Sequence, residues 1–398
     1  RARFTPTFSR MRRIGSVLFE FATANRIIFG PGACAELAPA AQAFGRCALV
    51  VGSLERTAQL REQLRAAGVE ALPYPITGEP TVATVLEGLR IAREGGCDLV
   101  IGIGGGSALD AGKAIAALLT NLGDIFEYLE VIGQGKPLEQ PSAPYIAIPT
   151  TAGTGTEVTR NAVIAVPERK IKVSLRSPFL LPRLAIVDPE LTYSLPPSVT
   201  ATTGLDALTQ LIEPFVSNAA NPMTDAVCRE GMRCVARSLS RAYQEGEDKD
   251  ARQDMSVASL FSGMALTNAR LGAVHGFASV IGGMFPAPHG AVCARLLPFV
   301  MEGNVRALKS RLPDAPVLER YAEIAHILTE NALARAEDGI KWVHHLIRAV
   351  SIPPLSEYSL TADAYPAILE AAKKSSSMKG NPVELTEQEL VGILEQAC

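Results

Sequence analysis

Cysteine and histidine are both scarce in this 398-residue chain, and the scarcity narrows its chemistry. Seven cysteines are scattered along it, an odd number with no CxxC pair. That excludes a disulfide framework and a zinc ribbon, and it fits a reducing compartment, so a cytoplasmic location is expected. No apolar run is long enough to cross a bilayer. There is no basic stripe, and the formal net charge is −3 with both signs interspersed. Neither a membrane nor a nucleic acid is therefore expected as a partner. Only the start, "RARFTPTFSRMRRIG", is Arg-rich and free of acids. It reads as an organellar transit remnant, an expression scar or an extension ahead of a native start at Met11.

What is present suits a globular protein: 47% hydrophobic and 20% charged residues. The length exceeds one ordinary core, so two domains are expected. In the first half, short apolar runs alternate with helical patterns. "CALVVG" (Cys47 to Gly52) is a strand; "ERTAQLREQLRAAG" is a helix closed by Gly68; "DLVIGIGGGS" is a strand ending in glycines; "ALDAGKAIAALLTN" is a helix; "YIAIPTTAGTGTEVT" is a strand running into a Gly/Thr loop. This alternation predicts an α/β dinucleotide-binding domain with a parallel sheet over residues 1–195. Past "SLPPS", at Ser194 to Ser198, the pattern turns continuously helical. An all-α domain over residues 196–398 follows.

Two loops point to a nucleotide. Gly104, Gly105, Gly106 and Ser107 lie between a strand and a helix. Glycines let a ligand approach the backbone, and a helix N-terminus favours the negative charge of a pyrophosphate. The spacing matches neither GxGxxG nor a Walker A loop. Thr150, Thr151, Thr154, Thr156 and Thr159 cluster around Gly153 and Gly155 after the next strand. Hydroxyls at a strand's carboxyl end can line the same crevice.

The five histidines are informative because they are few. His326, His344 and His345 lie in ordinary helical text. His275 is flanked by Gly272 and Gly276, and His289 stands between Pro288 and Gly290 at a turn before an apolar helix. Each alone reads as a packing residue. In "GLDALTQLIEP", Asp206 and Gln210 share a helix face. With His275 and His289 they offer a carboxylate, an amide oxygen and two imidazoles, an N/O set suited to iron, zinc, manganese or cobalt.

Taken together, "GGGSALDAGKAIA", "PTTAGTGTEVTRNAVI", "LPPSVTATTGLDALTQLIE", "NPMTDAVCREGM" and "PAPHGAVCARLLP" resemble the iron-containing (group III) alcohol dehydrogenases, which share the dehydroquinate synthase-like fold. The resemblance spans nearly the whole chain. It implies that Gly104, Gly105, Gly106 and Ser107 bind the cofactor pyrophosphate, with Asp110 supporting the loop. It further implies that Thr150, Thr151, Thr154, Asn161 and Lys172 are cofactor contacts, and that Asp206, His275 and His289 are metal ligands. Two departures stand at one site: Gln210 replaces a ligand histidine, and Ser279 replaces a histidine linked to proton relay. Ser53 stands where NAD-preferring relatives carry an acid that repels a 2′-phosphate, with Glu55 and Arg56 beside it, so both NAD and NADP are open.

The function this implies is an NAD(P)-dependent alcohol dehydrogenase or aldehyde reductase, with iron as the expected metal and zinc as the alternative. It would act on a small-molecule alcohol or aldehyde as a homodimer or higher homo-oligomer. Two other readings compete. One is a metal-free reductase or other nicotinamide-using enzyme of the same fold; the other is a dinucleotide-binding paralogue without catalysis.

Overall fold

A computed structural model describes residues 18–398, so the Arg-rich start up to residue 17 lies outside the described residues. The β-branched and apolar runs seen in the sequence form one six-stranded sheet. Its strands are β1 (Ile27–Phe29), β2 (Cys47–Gly52), β3 (Glu70–Pro75), β4 (Leu99–Gly104), β5 (Tyr145–Pro149) and, after the hairpin described below, β8 (Leu184–Val187). They lie in the order β1-β8-β5-β4-β2-β3, and every pair is parallel. Parallel strands need crossovers, and helices supply them: α1 (Leu37–Phe44), α2 (Leu54–Ala66), α3 (Val82–Glu94), α4 (Gly106–Thr120) and the short α5 (Ile125–Tyr128). With helices on both faces, β4, β5 and β8 are buried nearly throughout, which is why they read as unbroken apolar runs.

The sheet has a switch point that places the crevice. From β2 the chain steps outward to β3, then returns to the other side of β2 as β4. Ligands of open α/β sheets bind beyond the carboxyl ends of strands at such a reversal. Here those ends are Gly52–Ser53 and Gly104–Ser107. The strands close tightly: a Cβ at Gly52 would stand 2.3 Å from the carbonyl oxygen of Ile103.

One element differs from a simple parallel domain. β6 (Asn161–Val166) and β7 (Ile171–Arg176) form a separate antiparallel hairpin. A buried ammonium ties it to α4. Lys113, 1% exposed, donates to the carbonyl oxygen (2.8 Å) and hydroxyl (2.6 Å) of Thr159 and to the carbonyl of Asn161 (3.0 Å). One turn earlier on α4, the Asp110 carboxylate accepts from Val163 N–H at 3.1 Å. Burial raises the Asp110 pKa and lowers that of Lys113, and their mutual attraction opposes both shifts.

The second half is helical, as expected: α6 (Pro197–Val216), α7 (Pro222–Gln244), α8 (Lys249–Asn268), α9 (Ala273–Met284), α10 (His289–Arg311), α11 (Val317–Thr329), α12 (Ala336–Ala349), α13 (Tyr365–Lys374) and α14 (Glu387–Ala397). α6 is buried along most of its length between α7, α8 and α10. It starts at Pro197, so Gly204 is inside it. There Gly204 leaves room for Leu239, whose Cδ1 a Cβ would meet at 2.4 Å.

The two halves meet at the Gly/Thr loop. The carbonyl of Gly153 accepts from Gln210 Nε2 (3.1 Å, α6) and Ser262 Oγ (3.2 Å, α8). Gly155, with φ +60°, lies directly on Gly263 of α8, where an added Cβ would stand 2.2 Å from the Gly155 oxygen. Because backbone meets backbone, neither side can yield by rotating a side chain. Gly263→Ala should therefore cost about 1–3 kcal/mol, as overpacking does. Urea unfolding measures it; an unchanged midpoint would show that the interface is looser than this contact.

Candidate metal centre and cofactor crevice

Three helices bring the metal-site residues together. Asp206, Gln210 and Glu213 occupy one face of α6 at i, i+4 and i+7. His275 is the third residue of α9, and His289 is the first of α10. Asp206 Oδ1 lies 3.5 Å from His275 Nε2 and 3.8 Å from His289 Nε2. Cys293 Sγ lies 3.7 Å from the first nitrogen and 3.6 Å from the second. Ligand atoms of Asp206, His275, His289 and Cys293 all fall within 4.8 Å of one another.

Whether this set fits a cation is decided by Asp206. The residue is 2% exposed, and its Oδ1 is buried without a hydrogen-bond partner. Among the described residues no Lys or Arg pairs with it. A buried carboxylate oxygen left in this way is costly unless a charge faces it. Burial alone would raise the Asp206 pKa, but the facing imidazoles of His289 and His275 outweigh that and hold it below its usual value. Burial works against a proton on His275, yet Cys293, Asp206 and Glu213 keep its pKa well above that of an ordinary histidine. Desolvation pushes the Cys293 thiol up to about 12, against the pull of His275. Burial lowers the pKa of His289, which therefore adds a neutral donor beside the Asp206 carboxylate. The oxygen, two imidazoles and one sulfur of this pocket are donors that fit iron(II) or zinc.

Cys293 and Glu213 escaped the sequence reading. Cys293 follows His289 by four residues in "HGAVC", the same one-turn spacing that drew attention to Asp206 and Gln210. Glu213 stands seven residues after Asp206 in the same helix, and its partner is His275: Oε2 lies 2.7 Å from Nδ1. Ser279 lies one turn beyond His275 and donates to the Gly276 carbonyl at 3.2 Å.

On the other side of the cleft, the predicted cofactor residues separate into groups. Gly104, Gly105, Gly106 and Ser107 form the end of β4 and the first turn of α4, whose leading N–H groups are free of helical partners by geometry. Thr150 lies beside them, its N–H donating to the Gly104 carbonyl at 2.9 Å. The Thr151 and Thr154 side chains face Gly105 and Gly106, at 3.4 Å and 3.0 Å from where Cβ atoms would stand. Ser53 is exposed at the end of β2 and caps α2, accepting from Arg56 N–H at 3.4 Å. Asp110 is buried behind this rim, and Asn161 offers its carbonyl to Lys113. Lys172 sits apart, where β7 meets α9, paired with Glu79 at 2.6 Å.

With these two sites described, the similarities are informative. Residues 24–189 match the family model "Iron-containing alcohol dehydrogenase", and residues 200–398 match "Fe-containing alcohol dehydrogenase family, C-terminal". The chain belongs to the iron-containing alcohol dehydrogenase family. It is similar to alcohol dehydrogenase 4 of Saccharomyces cerevisiae, 38% identical over 349 residues that make up 87% of this chain and 88% of the relative. It is also similar to 1,3-propanediol dehydrogenase of Klebsiella pneumoniae, 35% identical over 96% of this chain and 99% of that one. Among solved structures, a 1,3-propanediol oxidoreductase superposes with a TM-score of 0.89 at 34% identity, covering 96% of this chain and all of that one. The protein is an enzyme, a metal-containing alcohol dehydrogenase that uses a nicotinamide dinucleotide.

The geometry of the glycine turn generates a prediction. A Cβ at Gly105 makes only ordinary contacts with Thr151, so a larger side chain there projects into the crevice without straining the loop. Gly105→Val should keep the wild-type melting temperature and lose binding of NAD(H) and NADP(H). Fluorescence titration reads this, and wild-type affinity for both cofactors in the variant would move the pyrophosphate elsewhere.

Proposed function

We propose that the enzyme oxidises alcohols and reduces aldehydes in the cleft where the division at residues 195/196 brings the metal centre to face the glycine turn. The observation that carries this is Asp206 Oδ1, buried and unpaired at the focus of two imidazoles and a thiol. A divalent ion bound there would act as a Lewis acid on the substrate oxygen. A nicotinamide dinucleotide held in the crevice would supply the hydride chemistry. The chain's own contribution is placement. Asp206 supplies anionic charge, and His275 and His289 supply nitrogen. The turn from Gly104 to Ser107, with Thr150, Thr151 and Thr154, would hold the dinucleotide. Asp110 and Lys113 hold α4, which carries that turn, against the β6–β7 hairpin, through Val163 and through Thr159 and Asn161. The names of the relatives, an alcohol dehydrogenase and a 1,3-propanediol dehydrogenase, support alcohols as the substrate class.

Gln210 belongs to this reading as a neutral neighbour of the centre. Its amide nitrogen is engaged with Gly153, which leaves the amide oxygen as the end able to face a cation. Seven free cysteines support a reducing, cytoplasmic setting. A homodimer or higher homo-oligomer is supported by β1, which stands at the sheet edge with one side unpaired among the described residues. Sedimentation tests that part.

Dinucleotide choice turns on Ser53. It is uncharged and exposed, and three residues on Arg56 has a buried Nη1 without a hydrogen-bond partner. Both features suit a 2′-phosphate, so NADP(H) should be accepted alongside NAD(H). Ser53→Asp preserves a good helix cap while adding charge. It should weaken NADP(H) about tenfold or more and NAD(H) little, through like-charge repulsion. Equal losses for both cofactors would place Ser53 away from the ribose.

Two substitutions separate the metal reading from its rivals. Asp206→Ala should lose bound metal and turnover while cofactor affinity stays within about twofold, because the bonds that fix the Gly/Thr loop come from Gln210 and Ser262 and not from Asp206. Gln210→His should bind iron or zinc more tightly than the parent and keep or gain activity. If neither changes metal content by elemental analysis, the ligand assignment fails and the metal-free reading replaces it.

A further inference from the structure

Helix α9 carries His275 on its first turn, and that turn is anchored from outside. The first N–H groups of a helix have no partner within it. Here the Ala273 N–H donates to Asn381 Oδ1 at 3.2 Å, and the Val274 N–H donates to Glu213 Oε1 at 2.7 Å. Glycine at position 272 makes this possible: a Cβ there would stand 2.8 Å from Glu213 Oε1 and 3.0 Å from Asn381 Oδ1. Asn381 is held in turn by Asn304, through bonds of 3.1 Å and 2.7 Å, and by the Val383 carbonyl at 2.8 Å. The anchoring side chains are therefore themselves fixed.

Glu213 does a second thing with its other oxygen. Oε2 lies 2.7 Å from His275 Nδ1, and Glu213 is 5% exposed by side chain. A carboxylate only accepts hydrogen bonds, so Nδ1 is the nitrogen that carries the proton. With a cation in the cluster, the lone pair is then on Nε2. That is the nitrogen aimed at the cluster, 3.5 Å from Asp206 Oδ1 and 3.7 Å from Cys293 Sγ. Glu213 reaches the opposite edge of the ring from the reacting side, so it touches neither substrate nor cofactor.

We propose that Glu213 is a positioning residue: one carboxylate caps α9 and fixes the tautomer and orientation of His275, presenting Nε2 as a metal donor. The inference rests on the reading of His275 as a ligand. Outer carboxylates of this kind raise the basicity of a ligating imidazole, and losing one typically lowers metal affinity 10–100-fold. Glutamine separates this role from simple packing. Its single oxygen can still accept from the Val274 N–H, but its NH₂ group then faces Nδ1 and favours the tautomer with the proton on Nε2. The cap survives while the donor is switched off.

The test is zinc affinity, measured by competition with a chromophoric chelator, on wild type, Glu213→Gln and His275→Ala. Glu213→Gln should bind zinc 10–100-fold more weakly, while the melting temperature of the metal-stripped variant stays within a few degrees of wild type. If His275→Ala loses zinc but Glu213→Gln stays within about threefold of wild type, the positioning role is overturned and the ligand assignment stands. If His275→Ala also keeps its zinc, the reading of the site falls and the inference falls with it. A spectrum of the zinc-loaded wild type labelled with ¹⁵N-histidine tests the same point without any variant. It should show His275 protonated at Nδ1 and ligating through Nε2; the reverse pattern contradicts the proposal.

Discussion

A carboxylate shut away from water, faced by imidazoles but by no lysine or arginine among the described residues, is the constraint around which this molecule is arranged. Asp206 is 2% exposed, in the middle of a helix buried on almost every side. Left alone, such a group would take up a proton or destabilise the fold. Instead two imidazoles and a thiol converge on it, and a second carboxylate, Glu213, stands behind one of the imidazoles. The arrangement is stable with positive charge at its centre, and a divalent ion is the chemically useful way to supply it.

The cofactor half depends on this centre through a few backbone contacts. The Gly153 carbonyl receives bonds from both α6 and α8, and Gly155 rests on Gly263. A loop at the end of one strand is thereby fixed to the helix that carries Asp206. The opposite lip of the crevice, the glycine turn, is fixed to the same loop region through Thr151 and Thr154, and from behind through Asp110 and Lys113. Backbone packing thus ties the Gly/Thr loop to the helix that carries Asp206, which would suit a reaction that needs its two partners close and aligned.

The parts legible in the sequence are those governed by local rules. β2 and β4 could be read from apolar runs ending in glycine, α2 from Glu55 to Gly68, and the crevice from two strand-to-loop transitions. The β6–β7 hairpin was not legible, because "NAVIAV" and "IKVSLR" are short and their turn centres on Lys170 with φ +51° in place of a glycine. Asp206, His275 and His289 showed themselves through spacing and flanking glycines. Cys293 and Glu213 did not, although both lie one or two helical turns from residues already marked. Their roles arise only when α6, α9 and α10 cross, where Gly272 packs against Glu213 and Gly290 against Thr202 of α6.

Metal dependence of turnover tests the account most directly. Purified protein is freed of metal with a chelator, then assayed with primary alcohols and aldehydes using NAD(H) and NADP(H), before and after titration with Fe²⁺ or Zn²⁺. The account predicts no turnover in the stripped enzyme, with intact dinucleotide binding, and recovery that saturates at one metal ion per chain. Full turnover in the stripped enzyme would contradict it.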